Sequence, residues 1–145
     1  MEGWYYLHTN GSLIYKRELG GTAADIREST FAKAMWPFDP GDRESVWRIV
    51  IESLAAGAER ERVHYLANHW GCDDVDADVY ADRVGVTLSP DGGKWCATGP
   101  GFRNLATSLA GFGKTKLEAM AELCSAMGYR PSKMWGTSFE KLLRQ

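Results

Sequence analysis

The chain has 145 residues, of which 44% are hydrophobic and 12% aromatic, enough for the core of one domain. Its net charge of −2 is unevenly spread: residues 39–91 carry 12 acidic and 5 basic side chains, and residues 103–145 carry 3 acidic and 7 basic ones. No apolar run approaches the about 18 residues of a transmembrane helix, no signal peptide is visible, and three cysteines suit reduced thiols. We therefore expect a cytoplasmic protein without a membrane partner.

Residues 1–21 are expected to form an N-terminal β-hairpin. Asn10-Gly11 separates two β-prone runs, near 4–8 and 12–17, and this pair favours a tight turn that needs positive φ. After this hairpin, residues 29–36 predict a short helix that Pro37 would stop.

Residues 39–83 are expected to form a helical middle. Asp39 and Pro40 suit a helix start, and Trp47, Val50 and Ile51 belong to an apolar face of helical spacing. Val46 and Ile49 widen that face, so we expect this first helix to be covered on two sides. Two further helices are predicted, over residues 58–70 and 73–82.

Residues 84–127 predict a second hairpin followed by a helix. Strands over 84–89 and 94–98 flank a Pro- and Gly-rich turn, residues 99–114 are Gly-rich and expected to be irregular, and residues 115–127 have helical spacing. Residues 128–145 form the C-terminal tail, with a linker over 131–136 and a last short helix over 138–144.

Residues 108–115 approach the phosphate-binding pattern G-x-x-x-x-G-K-[ST], but Ser108 occupies the place of its first glycine. Thr115 and Glu118 have the spacing of a capping box that opens a helix. Gly111 and Gly113 would then give the preceding turn its backbone freedom. We therefore predict a helix cap here and no nucleotide cofactor.

The helix pair over 58–82 has helix-turn-helix spacing, but its second helix is acidic. Phosphate contacts normally come from cations, and the second helix, over 73–82, contains no Lys or Arg. The carboxylates have two explanations: the first ones suit the helix dipole, or the group is a docking face for a basic protein surface. The candidate partner-binding acids are Asp73, Asp74, Asp76, Asp78 and Asp82.

No catalytic, cofactor or metal site is predicted. His64 and His69 are five residues apart and point about 140° away from each other on a helix, and no second Cys/His cluster completes a zinc tetrahedron. No cysteine or serine is marked as an activated nucleophile. Large aromatic residues near the termini are instead candidates for an exposed interface patch; these are Trp4, Tyr6 and Trp135.

Two stretches carry a family resemblance. Residues 4–16, and residues 94–97 with 110–119, resemble small proteins of tailed phages and prophages, a group that implies no activity. Residues 84–127 are distantly similar to the strand-strand-helix segment of HicB-type antitoxins, in which a Gly-x-Thr-x-x-Glu-Ala element opens the helix; Gly113, Thr115, Glu118 and Ala119 match it. The Pro-Asp-Leu-Pro-Gly turn of that family is missing.

The sequence therefore predicts a single small α+β domain with two β-hairpins and four to five helices. The expected function is that of a non-enzymatic protein-binding accessory factor of phage or prophage type, acting in the host bacterial cytoplasm on a host process or defence system. The alternative is a nucleic-acid-binding regulator, HicB-like or helix-turn-helix-like, that uses the basic C-terminal third.

Overall fold

The computed structural model describes residues 3–16, 32–104, 108–131 and 138–144. These residues form two antiparallel three-stranded sheets and five helices, so the predicted α+β class and single small domain are confirmed. The strands are β1 Gly3–His8, β2 Leu13–Lys16, β3 Ala32–Phe38, β4 Thr87–Asp91, β5 Lys94–Thr98 and β6 Ala110–Gly113. The helices are α1 Arg43–Ala55, α2 Arg60–His69, α3 Asp74–Val84, α4 Lys116–Ala126 and α5 Phe139–Leu143.

The first sheet has the order β2-β1-β3. Its hairpin turns at Asn10-Gly11 as predicted: Gly11 has a φ of 92°, and Asn10 Oδ1 accepts a hydrogen bond from Ser12 N at 2.9 Å. Positive φ is inexpensive for glycine, so this pair sets the register that places Tyr5 opposite Tyr15.

The helix predicted over 29–36 is wrong for the residues that the structure describes, because residues 32–38 form strand β3. Their burial alternates, with Ala34, Trp36 and Phe38 facing the core. The restriction that Pro37 places on the preceding residue favours extended backbone as well as a helix end. Since β3 is an edge strand, the missing N–H of Pro37 is tolerated there.

The second sheet has the order β4-β5-β6, separate from the first. Residues 110–113, expected to be irregular, form β6, and the near-match to a phosphate-binding loop lies in this strand. We expected Gly111 and Gly113 to form a turn, but they lie in the strand. There they let α4 approach the sheet closely. A Cβ on Gly111 would collide with Ala119 O and Leu123 N, and one on Gly113 would lie 2.6 Å from Ala119 N.

Side-chain caps begin most of the helices. The predicted start of α1 is wrong, because Asp42 caps it in place of Asp39, accepting a hydrogen bond from Glu44 N at 3.1 Å. The predicted capping of α4 is confirmed: Thr115 Oγ1 accepts from Glu118 N at 3.1 Å, and Glu118 Oε2 accepts from Lys114 N at 3.2 Å. The bonds to Glu44 N and Glu118 N satisfy amides that a helix start leaves without partners. The bond from Lys114 N reaches one residue before the cap, where a full capping box would use Thr115 N.

Helix α1 occupies the centre of the core and is covered on two sides, as predicted. It packs against β3 on one side and α4 on the other, and α4 in turn packs on β5 and β6. Val46, Trp47, Ile49, Val50 and Ile51 are all at most 2% exposed. The two sheets are therefore outer layers around a helical centre, which leaves α3 at the surface.

Candidate functional site

Helix α3 is the candidate functional element, because its two sides differ in composition. The inner side buries Ala77, Tyr80 and Ala81, and the Tyr80 ring stacks on Trp47 of α1 at 5.7 Å between ring centroids. The outer side is exposed and carries Asp74, Val75, Asp78, Val79 and Asp82, with Arg83 at its edge paired to Glu44. The five Asp and Val residues, called here the α3 face, lie within about 140° of the helix circumference at 3.6 residues per turn.

Two of the predicted partner-binding acids serve the fold. Asp73 is the N-cap of α3 and accepts a hydrogen bond from Asp76 N at 2.8 Å. Asp76 Oδ2 accepts hydrogen bonds from Trp47 Nε1 and from Arg43 Nη2, both at 2.6 Å. Because Asp76 satisfies the indole of a buried tryptophan, it fixes α3 to α1 and is not available to a partner.

The other three acids point outward. Asp78 forms an ion pair at 2.8 Å with Lys116 Nζ and keeps 57% of its side chain exposed. The exposed carboxylates of Asp74 and Asp82 make no hydrogen bond or ion pair with any residue that the structure describes. Because water screens exposed carboxylates, an ion pair with either one alone would contribute only about 0–1 kcal/mol.

Two valines lie beside these carboxylates on the helix surface. Val75 is 74% exposed and Val79 is 56% exposed, one helical turn apart. Tyr65 on α2 is also 73% exposed and stacks on His69. The sequence prediction identified the acids but missed the valines, although their i, i+4 spacing opposite the buried Ala77 and Ala81 would have marked them as an outward apolar pair.

A cleft of about 500 Å³ adjoins the α3 face. It lies where α2, α3 and the start of α4 meet, and we call it the α3 cleft. Its lining residues are Trp47, His64, Ala67, Asn68, Cys72, Asp73, Asp74, Val75, Ala77, Thr115 and Leu117. Since Asp74 and Val75 belong to both features, the cleft and the face form one continuous surface.

The residues considered for metal binding have other partners. His64 Nε2 lies 2.9 Å from Glu118 Oε1, and Arg60 pairs with the same carboxylate at 2.5 Å. Burial alone would raise the pKa of Glu118, but His64, Arg60 and the Lys114 amide together hold it below its usual value. No group of three or more His, Cys, Asp or Glu side chains suited to a metal ion occurs among the described residues.

The cysteines have the environment of unreactive thiols. Burial raises the pKa of Cys72 to about 11, which leaves it protonated at neutral pH. Burial also raises the pKa of Cys124, whose side chain is fully buried. Nucleophilic chemistry therefore has no support at these two positions.

The predicted aromatic patch does not form from the residues that the structure describes. Tyr6 is buried at 1% exposure, which contradicts its assignment to an exposed patch. Trp4 is half-buried beside Pro37 and Arg48 in a separate shallow cleft, and Trp135 lies outside the described residues.

One cation of the basic C-terminal third is buried in contacts within the protein. Lys116 is 8% exposed, because its ammonium group is held between the Asp78 carboxylate and the Trp95 ring, 4.7 Å from the ring centroid. Arg103, Lys114 and Arg130 are exposed, and Lys133 lies outside the described residues. The third therefore offers scattered cations, and Lys116 is not accessible to a phosphate.

Comparison with known proteins gave no match to a protein-family model, to a curated protein or to a solved structure. Within the described part of the chain, no helix is both long enough and apolar enough to span a bilayer. The function must therefore be inferred from the surface chemistry of the molecule itself.

Proposed function

We propose that this chain is a non-enzymatic protein-binding factor that docks through the α3 face. The observation that supports the proposal most is the exposure of Val75 and Val79, 74% and 56%, on a helix whose inner side already packs into the core. β-Branched residues lower helix propensity, and apolar side chains gain nothing from exposure to water. Folding alone therefore gives no reason for valine at these two positions.

The charges on the α3 face indicate the chemistry of the partner. Asp74, Asp78 and Asp82 lie along one side of the valines, and the fold neutralises only Asp78 among them. Arg83, on the other side of the valines, is already paired with Glu44. Charged side chains beside a small apolar pair resemble the polar rim and apolar core of protein interfaces. We infer a partner that presents apolar side chains flanked by Lys or Arg.

The biological setting of the proposal comes from the sequence resemblance to small tailed-phage and prophage proteins. An acidic docking surface suits a protein that engages a basic surface of a host protein, and we propose a host process or defence system as the target. We propose the host target by analogy with phage proteins. The identity of the captured protein tests whether the partner is a host protein.

The proposal is tested by charge reversal on the α3 face. Tagged chain is used to capture its partner from a bacterial host, and the purified partner is then titrated against the variant with Asp74→Lys and Asp82→Lys. We expect at least about a tenfold loss of affinity, because like charges would face each other across the interface. Circular dichroism should remain unchanged, since neither carboxylate has a partner among the described residues. Tm should change by only a few degrees, because Lys at position 74 opposes the helix dipole and Lys at position 82 favours it.

The matched control carries the same charge change elsewhere, with Glu61→Lys and Asp91→Lys on exposed positions of α2 and β4. It should retain most of the affinity, apart from a salt-dependent decrease in association rate. Equal losses in both double variants would show that net charge alone drives binding, and docking at the α3 face would then be rejected.

The alternative, nucleic-acid binding by the basic C-terminal third, makes an opposite prediction. Binding to duplex DNA would weaken steeply with salt, by about 0.9 log units per neutralised phosphate per log unit of salt. We expect no binding in a fluorescence anisotropy titration at physiological salt. Binding that persists there and is lost with Arg130→Glu and Lys141→Glu would favour the alternative.

A further inference from the structure

The α3 cleft has an apolar floor. Ala67 and Ala77 are at most 3% exposed, Leu117 is 7% exposed, and Trp47, which also lines the cleft, is 2% exposed. Its volume of about 500 Å³ lies within the about 300–1,000 Å³ typical of clefts that bind ligands. The floor therefore suits an aliphatic chain.

The rim of the cleft is polar and carries two carboxylates that form no ion pair with the described residues. Asp73 uses one carboxylate oxygen to cap α3, which leaves its second oxygen available. Asp74 has no side-chain partner among the described residues, and Asn68 adds an exposed amide. The neighbouring basic side chains already have partners: Arg43 binds Asp76, and the His64 ring lies within hydrogen-bond distance of Glu118. Lys116 binds Asp78, and its ammonium group also lies 3.5 Å from the backbone oxygen of Asp74.

An apolar floor beneath a negative rim fits a long side chain with an aliphatic stem and a cationic head. Arginine fits better than lysine for two reasons. Its planar group offers five donors, enough for two carboxylates and an amide, and it is more weakly hydrated than an ammonium group, so partial burial costs less.

We propose that the α3 cleft receives an arginine side chain of the partner protein, with the stem on the floor and the guanidinium between Asp73, Asp74 and Asn68. This inference rests on the proposed function and specifies the residue that the partner inserts. A second copy of this chain does not suit the site as a symmetric dimer, since a two-fold contact would place the α3 faces, carboxylates included, against each other.

The test uses a defined probe, the peptide acetyl-Leu-Arg-Leu-amide, titrated into the ¹⁵N-labelled full chain and followed by NMR. We expect saturable shifts at the amides of Asn68, Asp74 and Val75 at millimolar peptide. The analogue with citrulline in place of arginine has nearly the same shape but no charge, and it should bind about tenfold more weakly, because charge-assisted hydrogen bonds are lost.

Two variants separate the cleft from the α3 face. Asp74→Asn should lower the affinity for the arginine peptide by about tenfold. Asp82→Asn changes the same face outside the cleft and should leave that affinity unchanged. Absence of shifts at the cleft, or equal binding of arginine and citrulline peptides, would overturn the inference. If partner capture still depended on Asp82 and Val79 in that case, the proposed function would stand without it.

Discussion

Helices α3 and α4 are both 11 residues long, and both begin with a side-chain cap, but they bury different fractions of their residues. Helix α4 buries seven residues between the second sheet and α1, including the charged Lys116. Helix α3 buries only three, and its outer side carries three carboxylates and two valines, with Arg83 at its edge. Since burial against the core stabilises most helices, the difference indicates that α4 holds the fold together and that the outer side of α3 is available for binding.

A large loss of stability is expected from a substitution at the contact between α4 and β6. Gly111→Ala should lower the free energy of unfolding by about 3 kcal/mol and the Tm by about 10 °C, because the added methyl group would meet the backbone of Ala119 and Leu123. Urea unfolding measures the change. Gly41→Ala is the control: its Cβ would meet only the Asp39 carboxylate, at 3.3 Å, and it should change stability by less than about 1 kcal/mol. Equal effects of the two substitutions would refute the close packing of α4.

The two sides of α3 can be separated by two aspartate substitutions. Asp76→Ala should cost about 1–3 kcal/mol, because the indole N–H of the buried Trp47 loses its acceptor. Asp82→Ala should change the free energy of unfolding by less than about 0.5 kcal/mol, as expected for an exposed position without partners among the described residues. Chemical denaturation followed by tryptophan fluorescence measures both. A tolerated Asp76→Ala would place this carboxylate with the α3 face after all.

A smaller effect of opposite sign is expected at the exposed valine of α3. Val79→Ala should leave stability unchanged or raise it by up to about 0.7 kcal/mol, since alanine has the higher helix propensity and no packing is lost. Met120→Ala on α4 is the comparison, with an expected loss of about 2–5 kcal/mol from a fully buried position. Destabilisation by Val79→Ala would mean that the valine packs within the protein.

The smallest expected effect is on the pH dependence of stability, where two carboxyl groups act in opposite directions. Burial raises the pKa of Glu52, so the folded state holds this proton more tightly and stability should rise as pH falls toward the ordinary value of about 4.3. The pKa of Glu118 at the start of α4 is lowered, so its contribution is present above about 4.3 and is lost as pH falls through the lower, folded-state pKa.

Urea unfolding as a function of pH distinguishes the two groups. Glu52→Gln should remove the rise on acidification, and Glu118→Gln should remove the loss at lower pH. Unchanged slopes in both variants would contradict these assignments.

Much of the fold could be predicted from local signals. Asn10-Gly11 located the first hairpin, and the spacing of Trp47, Val50 and Ile51 located α1. Strands β3 and β6 were missed because their local signals are ambiguous. Pro37 is equally compatible with the end of a helix and with an edge strand. The glycines of β6 have low strand propensity, which is compensated by close packing on α4.

The site was predictable only in part, because acids of one helix have different tertiary partners. The partners of Asp76 are 29 and 33 residues away in the sequence, and Lys116, the partner of Asp78, is 38 residues away. No local pattern separates Asp76 from Asp82, and only the packed structure shows which carboxylate is used by the fold. The exposed valines, in contrast, could have been inferred from helical periodicity.

The most direct test of the central claim is the affinity of the captured partner for the variant with Val75→Ala and Val79→Ala, measured by isothermal titration calorimetry beside its Tm. Removing two apolar interface groups should weaken binding by at least about tenfold, while Tm stays the same or rises. Full affinity with an unchanged Tm would contradict the account, because the valines would then serve neither the fold nor the partner.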